Sequence, residues 1–385
     1  METLTRAVSV QSLFYFLFLS FPAAAAVVIT PALPWIGSEY GLLSGQVQWI
    51  MSLYLIGYMA GQLLYGRIAE RTGLKKAVYL SFAVALIGSA IGYNAASFEI
   101  LCFARFVQGL GASAGLILTF SMASSLNKPK EKFRFLSAFA IVPAAAAVLG
   151  GALTEKWGWK SSFLFLILYS LFLAVYAAAV VEDKKGKRVE LSKYAAQFKD
   201  SFLVWHALLV GLGVAAIYLF ATFAPFVGID GMGLDAGEYG LWMILPGLGA
   251  LLGLAAQEKI AKKTAPRIVM LSGILVLLIG SLLMALAFAN RACHPGVLFW
   301  PMFLIQIGIA IVCSSAFAKG ISESGDKTDA TAVLHFVNLA VASAAVIAAG
   351  SFCQGWLLLP LALFLVSAAM VVVWLELKEH HAKSK

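Results

Sequence analysis

The sequence predicts an all-α membrane protein, with twelve transmembrane helices arranged as two pseudo-symmetric six-helix bundles. Three observations carry that expectation: charge is scarce, the apolar residues gather into twelve runs of membrane-crossing length, and the second half of the chain repeats features of the first. Of the 385 residues, 61% are hydrophobic and 12% charged, with a mean hydropathy of +0.90; a soluble domain carries roughly a quarter charged residues. In water such a composition would expose large apolar patches, whereas a bilayer solvates apolar side chains directly.

The apolar runs fall near residues 11–35, 47–66, 77–95, 100–123, 135–154 and 161–181, then 201–225, 239–256, 268–289, 297–318, 331–350 and 357–375. Each holds roughly 17–25 residues, enough to cross ~30 Å of hydrocarbon. The first follows Arg6 and continues through Ala23 and Ala26 to Trp35, longer than the roughly 7–15 apolar residues of a secretory leader, so it reads as a membrane helix. With the N-terminus inside, the Lys and Arg residues all fall in inner connections and tails, except Lys156, Lys160 and Arg291 outside and Arg105 within a span. That is the positive-inside distribution. It predicts a multi-pass protein of a cell inner membrane with both termini in the cytoplasm. The net charge of +9 then belongs to loops beside anionic lipid and not to a nucleic-acid surface.

The longest polar stretch, Glu182 to Asp200, divides the chain into an N-terminal bundle (1–181), a cytoplasmic linker (182–200) and a C-terminal bundle (201–385). Leu191 to Phe202 has the amphipathic spacing of a surface helix. The halves also repeat. Arg67, Ile68, Ala69, Arg71, Thr72 and Lys75 match Lys259, Ile260, Ala261, Lys263, Thr264 and Arg267, each set following the second span of its half. A displacement of about half the chain between equivalent places is expected of a duplicated bundle.

Of the four cysteines, Cys102 and Cys313 lie inside apolar runs as small packing residues. Cys293 and Cys353 fall in loops on the same outer side, which leaves a structural disulfide open. No H-E-x-x-H, phosphate loop or clustered metal ligands occur, so neither cofactor nor metal is expected, nor ATP hydrolysis. Gly111-Ala112-Ser113-Ala114-Gly115 fits G-x-S-x-G, but that pattern means a nucleophile only on a strand-to-helix elbow. Within a helix it is a run of small packing residues, and the chain is not expected to be an enzyme.

Three segments resemble the major facilitator superfamily, and within it the bacterial drug-resistance branch that includes bicyclomycin and chloramphenicol exporters. Gly57 to Gly66 followed by Glu70-Arg71-Thr72-Gly73-Leu74-Lys75-Lys76 is similar to the loop signature G-x-x-x-D-R-x-G-R-R/K. Arg105-Phe106-Val107-Gln108-Gly109-Leu110-Gly111 resembles the fourth-helix motif R-x-x-Q-G-x-G. Pro143 with Gly150-Gly151, then Gly158-Trp159-Lys160, is similar to the fifth-helix proline-glycine motif and the following turn. The likeness covers most of the N-terminal half; the C-terminal half agrees in topology and loop repeat.

The resemblance implies a monomeric secondary transporter of major facilitator fold, moving a small-molecule substrate by alternating access, most simply the efflux of a drug-like or amphipathic compound. Its alternative is an anionic metabolite or siderophore, exported or taken up, without obligatory proton coupling. Gly66, Glu70, Arg71, Gly73, Lys75 and Lys76 form the expected conformational latch, the basic groups holding acidic groups and helix C-termini. Pro143 removes a backbone hydrogen bond and, with Gly150 and Gly151, is expected to bend helix five. Gly57/Gly61, Gly88/Gly92, Gly111/Gly115 and Gly249/Gly253 have the spacing of close helix contacts. The departures are Glu70 for Asp, Ala147 for a second proline, and Val27 where the branch carries an acid four residues before Pro31-Ala32-Leu33-Pro34.

Arg105 is the only charged residue expected well inside a span. An arginine near mid-membrane costs roughly 2.5–3.5 kcal/mol on insertion scales and faces a cavity or a partner. It is the leading substrate-binding candidate, with Gln108, Gln306, His335 and Asn338 offering hydrogen bonds and Phe14, Tyr58 and Trp242 aromatic walls. With Val27 at the acid's position, His206, His335 and the rim carboxylate Glu39, a prospective partner of Arg105, are the proton-coupling candidates. One arginine without a buried carboxylate favours neutral or anionic substrates over cations.

Overall fold

The computed structural model describes residues 2–123, 129–184, 197–291, 293–324, 327–352 and 357–383, and there the chain is helical apart from short connections. Among the described residues, eleven stretches are long and apolar enough to cross a membrane. In chain order they are span one (Val10–Tyr40), two (Ser44–Thr72), three (Leu74–Tyr93), four (Phe98–Thr119), six (Lys160–Val180), seven (Ser201–Gly231), eight (Ala236–Ala261), nine (Pro266–Ala289), ten (Pro295–Ser322), eleven (Asp329–Ser351) and twelve (Leu358–Leu377). The helix Pro129–Trp157 fills the place of span five and runs through Pro143 without a break. Leu168, Val175, Ile279 and Leu365 are exposed, as in a bundle whose outer face meets lipid.

Several helices outrun their apolar cores, because polar residues at a span end can continue the hydrogen-bond ladder. The helix of span two continues through the basic signature to Thr72 and stops at Gly73, where φ is 93°. A side chain is strained at that angle and glycine is not. The next residue, Leu74, donates its N–H to the carbonyl of Lys184 at 2.8 Å. The signature loop thus docks on the segment that follows span six. Other starts are set by caps: Asp200 accepts from the N–H groups of Phe202 and Leu203 at 3.0 and 3.3 Å, and proline occupies the first turns of spans nine and ten. Residues 191–196 of the expected surface helix, and Cys353 with its prospective bridge to Cys293, lie outside the described residues.

Packing follows a two-fold plan. Span one lies against five and six, two against four, and three against four and six. In the second half seven lies against eleven and twelve, eight against ten, and nine against ten and twelve. Glycines make these contacts close. A Cβ on Gly57 would strike the carbonyl of Phe106, and one on Gly249 that of Phe303; Gly111 sits on Ala85 as Gly308 sits on Leu277. This correspondence places Met302, fully buried, where the first half has Arg105.

The halves meet where span two packs on eleven and span five on eight. At the end that carries residues 34–48, Gly45 abuts Gly350, Gly151 abuts Ala236, and Gly240 abuts Ala147. Backbone meets backbone at these three points, with the side chains of Gln48 on Gly350 and Glu155 on Gly237 beside them, and the two halves close on each other along this line.

Candidate functional site

The site begins with a break in span one. Its first helix stops at Val27, a 3-10 turn covers Thr30–Ala32, and a second helix follows from Leu33 to Tyr40. Pro31 has no N–H to return to the carbonyl of Val27; the hydroxyl of Thr30 donates to that carbonyl instead, at 2.9 Å. The carbonyl of Ala25, whose helical partner would be the N–H of Ile29, also falls at the break. It accepts from Arg105 Nη1 at 3.0 Å.

Arg105 is fully buried. Its Nε donates to the carbonyl of Ile50 at 3.4 Å, Nη1 also donates to Gln108 Oε1, and the guanidinium lies 4.3 Å from the ring centroid of Tyr54. Gln108 passes the polarity onward: its Nε2 donates to Ser89 Oγ at 2.7 Å, and Ser89 donates to the carbonyl of Ala85 at 2.8 Å. Tyr54 in turn donates to the carbonyl of Pro22 at 2.6 Å. Arg105 therefore ties together spans one, two, three and four. Hydrogen bonds from a charged donor contribute about 1.5–3 kcal/mol each, and a desolvated cation–π contact about 2 kcal/mol; together they offset the burial of the charge. One nitrogen, Nη2, has no hydrogen-bond partner. Tyr218 of span seven is near enough to interact electrostatically with Arg105, Tyr54 and Tyr58, so the second half faces this network.

Of the residues expected to share a site, the structure brings Arg105, Gln108 and Tyr58 together. Tyr58 is buried one turn below Tyr54, ring centroids 6.2 Å apart. His335 and Asn338 form a pair of their own on span eleven, His335 Nδ1 lying 3.3 Å from Asn338 Nδ2 and its ring 5.3 Å from that of Phe317. Gln306 is half-buried on span ten at the place that Gly109 takes in the first half. Phe14 packs with Phe18 and Tyr176, and Trp242 stacks on Phe299; neither ring lies against Arg105 here. His206 belongs to a helix end, its Nδ1 2.8 Å from the carbonyl of Phe202. Glu39 is exposed and accepts from Trp159 Nε1 at 2.5 Å, so in this conformation the partners of Arg105 are carbonyls and an amide, and the prospective Glu39–Arg105 pair is absent. Ser113 donates to the carbonyl of Leu110 at 2.7 Å, as a helix packing residue does.

Four contributors escaped sequence reading. Tyr54 could have been found as the aromatic residue one turn from Tyr58 on the same helix face. Tyr218 carries no such signal, and the carbonyls of Ala25 and Ile50 carry none either, since every residue has one.

Residues 13–349 match the Major Facilitator Superfamily. The chain is 25% identical over 302 residues to an uncharacterized transporter of Rickettsia felis, covering 73% of this chain and 74% of that one. It is 23% identical to the multidrug resistance protein MdtL of Klebsiella pneumoniae (72% and 74% covered) and 25% identical to a chloramphenicol resistance protein of Pseudomonas aeruginosa (74% and 70%). Its fold is similar to that of a crystallised D-xylose-proton symporter, with a TM-score of 0.75 at 14% identity over 94% of this chain and 97% of that one. With a match across most of its length and a symmetric helical bundle to go with it, the chain belongs to the Major Facilitator Superfamily of membrane transporters.

Proposed function

We propose that this transporter exports neutral or anionic amphipathic, drug-like compounds by alternating access, with 1–181 and 201–385 as the rocking bundles and 182–200 as the cytoplasmic linker. The observation that carries the substrate preference is Arg105, fully buried and held by two carbonyls and Gln108, with no carboxylate among its hydrogen-bond partners. Positive charge left uncompensated in a low-dielectric interior repels a cation and tolerates a neutral or negative solute. The likeness to multidrug and chloramphenicol resistance proteins supports export of such compounds.

The protein works as a monomer in the inner membrane with both termini in the cytoplasm; the basic connections on one side support that orientation. The end bearing residues 34–48 then faces outward, and its glycine seam makes the present conformation one closed to the outside. Alternating access breaks that seam and closes the opposite end. Of the proton-coupling candidates, His335 is favoured because it lies within span eleven, whereas Glu39 is exposed at the outer rim and His206 sits at a helix start.

The test is uptake of chloramphenicol, a neutral amphipath, and of ethidium, a cation, into everted membrane vesicles, with and without a pH gradient. Proton-dependent uptake of chloramphenicol over ethidium is expected. Transport of ethidium alone would overturn the charge argument, and transport of neither would overturn export of this class.

A further inference from the structure

One face of span two is a ladder of polar and aromatic groups. Tyr54, Tyr58 and Gln62 follow one another at single-turn intervals, where successive side chains share a face, and all three are buried, Gln62 completely. The top of the ladder is fully bonded: Tyr54 has the guanidinium of Arg105 over its ring and donates to Pro22. The bottom is not. The hydroxyl of Tyr58 lies beside the carboxamide of Gln62, yet neither Nε2 nor Oε1 of Gln62 has a hydrogen-bond partner of normal geometry. Tyr218 of the second half is an electrostatic neighbour of Tyr58 and Tyr54 on this ladder.

A buried carboxamide with nothing bound to donor or acceptor is costly, about 1–3 kcal/mol for each unmet group, and such groups in native interiors call for a reason. Packing is not one. Leucine has similar volume without the penalty, and the neighbouring close approach to span four is made by Gly61 against Ser113 and Leu110. Interhelical adhesion is not one either, since the polar group beside the amide, the Tyr58 hydroxyl, belongs to the same helix. The remaining reason is an absent partner.

The geometry points to Gln62 as a specificity-determining contact for the transported solute, its carboxamide pairing with an amide, hydroxyl or carbonyl of the compound while Tyr58 and Tyr218 cover the apolar body. This rests on the export reading above and narrows it: the preferred solutes carry a hydrogen-bonding group on an aromatic or apolar frame. An amide offers both a donor and an acceptor, so it serves chemically varied solutes provided each has at least one polar group. A solute without one leaves the amide unmet and is disfavoured by comparison.

The test uses the full-length protein and its Gln62→Leu and Gln62→Met variants, with radiolabelled chloramphenicol, which carries an amide and two hydroxyls, and 1,6-diphenyl-1,3,5-hexatriene, an aromatic hydrocarbon with no hydrogen-bonding group. Thermal unfolding in detergent is followed in parallel. Loss of one solute hydrogen bond is expected to raise KM for chloramphenicol about fivefold to tenfold, to leave KM for the hydrocarbon unchanged, and to leave the unfolding midpoint equal or higher. Equal change for both probes, or none for either, overturns the assignment. So does a lower midpoint in both variants, which would make Gln62 a structural residue. If the parent moves neither probe, the export reading is what fails, and the unfolding midpoints alone then decide whether Gln62 is a contact held in readiness or part of the scaffold.

Discussion

Arg105 lies 4.3 Å above the ring of Tyr54, and the same tyrosine donates its hydroxyl to the carbonyl of Pro22 at 2.6 Å. A cation on span four is thus joined through an aromatic ring on span two to the backbone of span one. The arrangement converts one costly charge into a clamp on three helices, and it places the clamp beside Tyr218, where the second half approaches.

Arg105→Ala removes the donors to Ala25 and Ile50 and leaves a gap beside Tyr54. A lower unfolding midpoint is expected, with transport reduced by about tenfold or more, as follows from the loss of roughly 1.4 kcal/mol or more from the productive state. Arg105→Lys keeps the charge but loses the planar fork and most of the stacking, so it recovers stability better than transport. Flux and unfolding at matched protein amounts check both; parental transport in the alanine variant would remove Arg105 from the mechanism.

Gly151→Leu introduces a side chain where the backbone of Ala236 lies. The outer seam then cannot close and the outward-open state accumulates. Transport should disappear while the protein remains folded. In a cysteine-free background, a cysteine placed at Ser38 should react about tenfold faster with a membrane-impermeant maleimide, the response to a shift of about 1.4 kcal/mol in the opening equilibrium. An unchanged labelling rate would mean the seam is not part of the outer gate.

Thr30→Val keeps shape and deletes the hydroxyl that supplies the carbonyl of Val27 in place of the N–H that Pro31 lacks. The cost expected is about 1–2 kcal/mol of stability, with flux nearly intact, since the substitution touches neither Arg105 nor the ladder of span two. Calorimetric unfolding measures it, and a wild-type midpoint would show that water reaches the break.

Glu39→Gln preserves an acceptor for Trp159 and should leave both the rate and its pH dependence as they are. His335→Gln, in contrast, removes the ionisable imidazole within span eleven and should flatten the dependence of uptake on the pH gradient while downhill exchange continues. The reverse pattern would transfer coupling from span eleven to the outer rim.

The architecture was legible early because its signals are local. Apolar length marks a span wherever the span ends up, and the imbalance of Lys and Arg gives an expected sidedness loop by loop. The repeat between Arg67–Lys75 and Lys259–Arg267 announced a duplication that appears in the structure as matched helix pairs. Arg105 stood out for the same reason, as one charge in a run that has no other. Span ends were less legible: the helix of span two passes through the charged signature to Gly73 because its ladder, unlike its hydropathy, does not stop at the lipid boundary.

What the charge does was decided only by tertiary structure. Its acceptors are the carbonyl of Ala25, freed at the break in span one, and that of Ile50, a first-turn helical carbonyl with a second lone pair; both are anonymous in a sequence. Glu39 finds Trp159 across 120 positions, and Gln62 is buried beside the Tyr58 hydroxyl of its own helix without a hydrogen bond of normal geometry. Sequence alone determined that this chain is a duplicated helical bundle in a bilayer, since hydropathy and charge act residue by residue. Which polar groups meet, and which wait for one, depends on distances between segments far apart in the chain, and those exist only once the helices have packed.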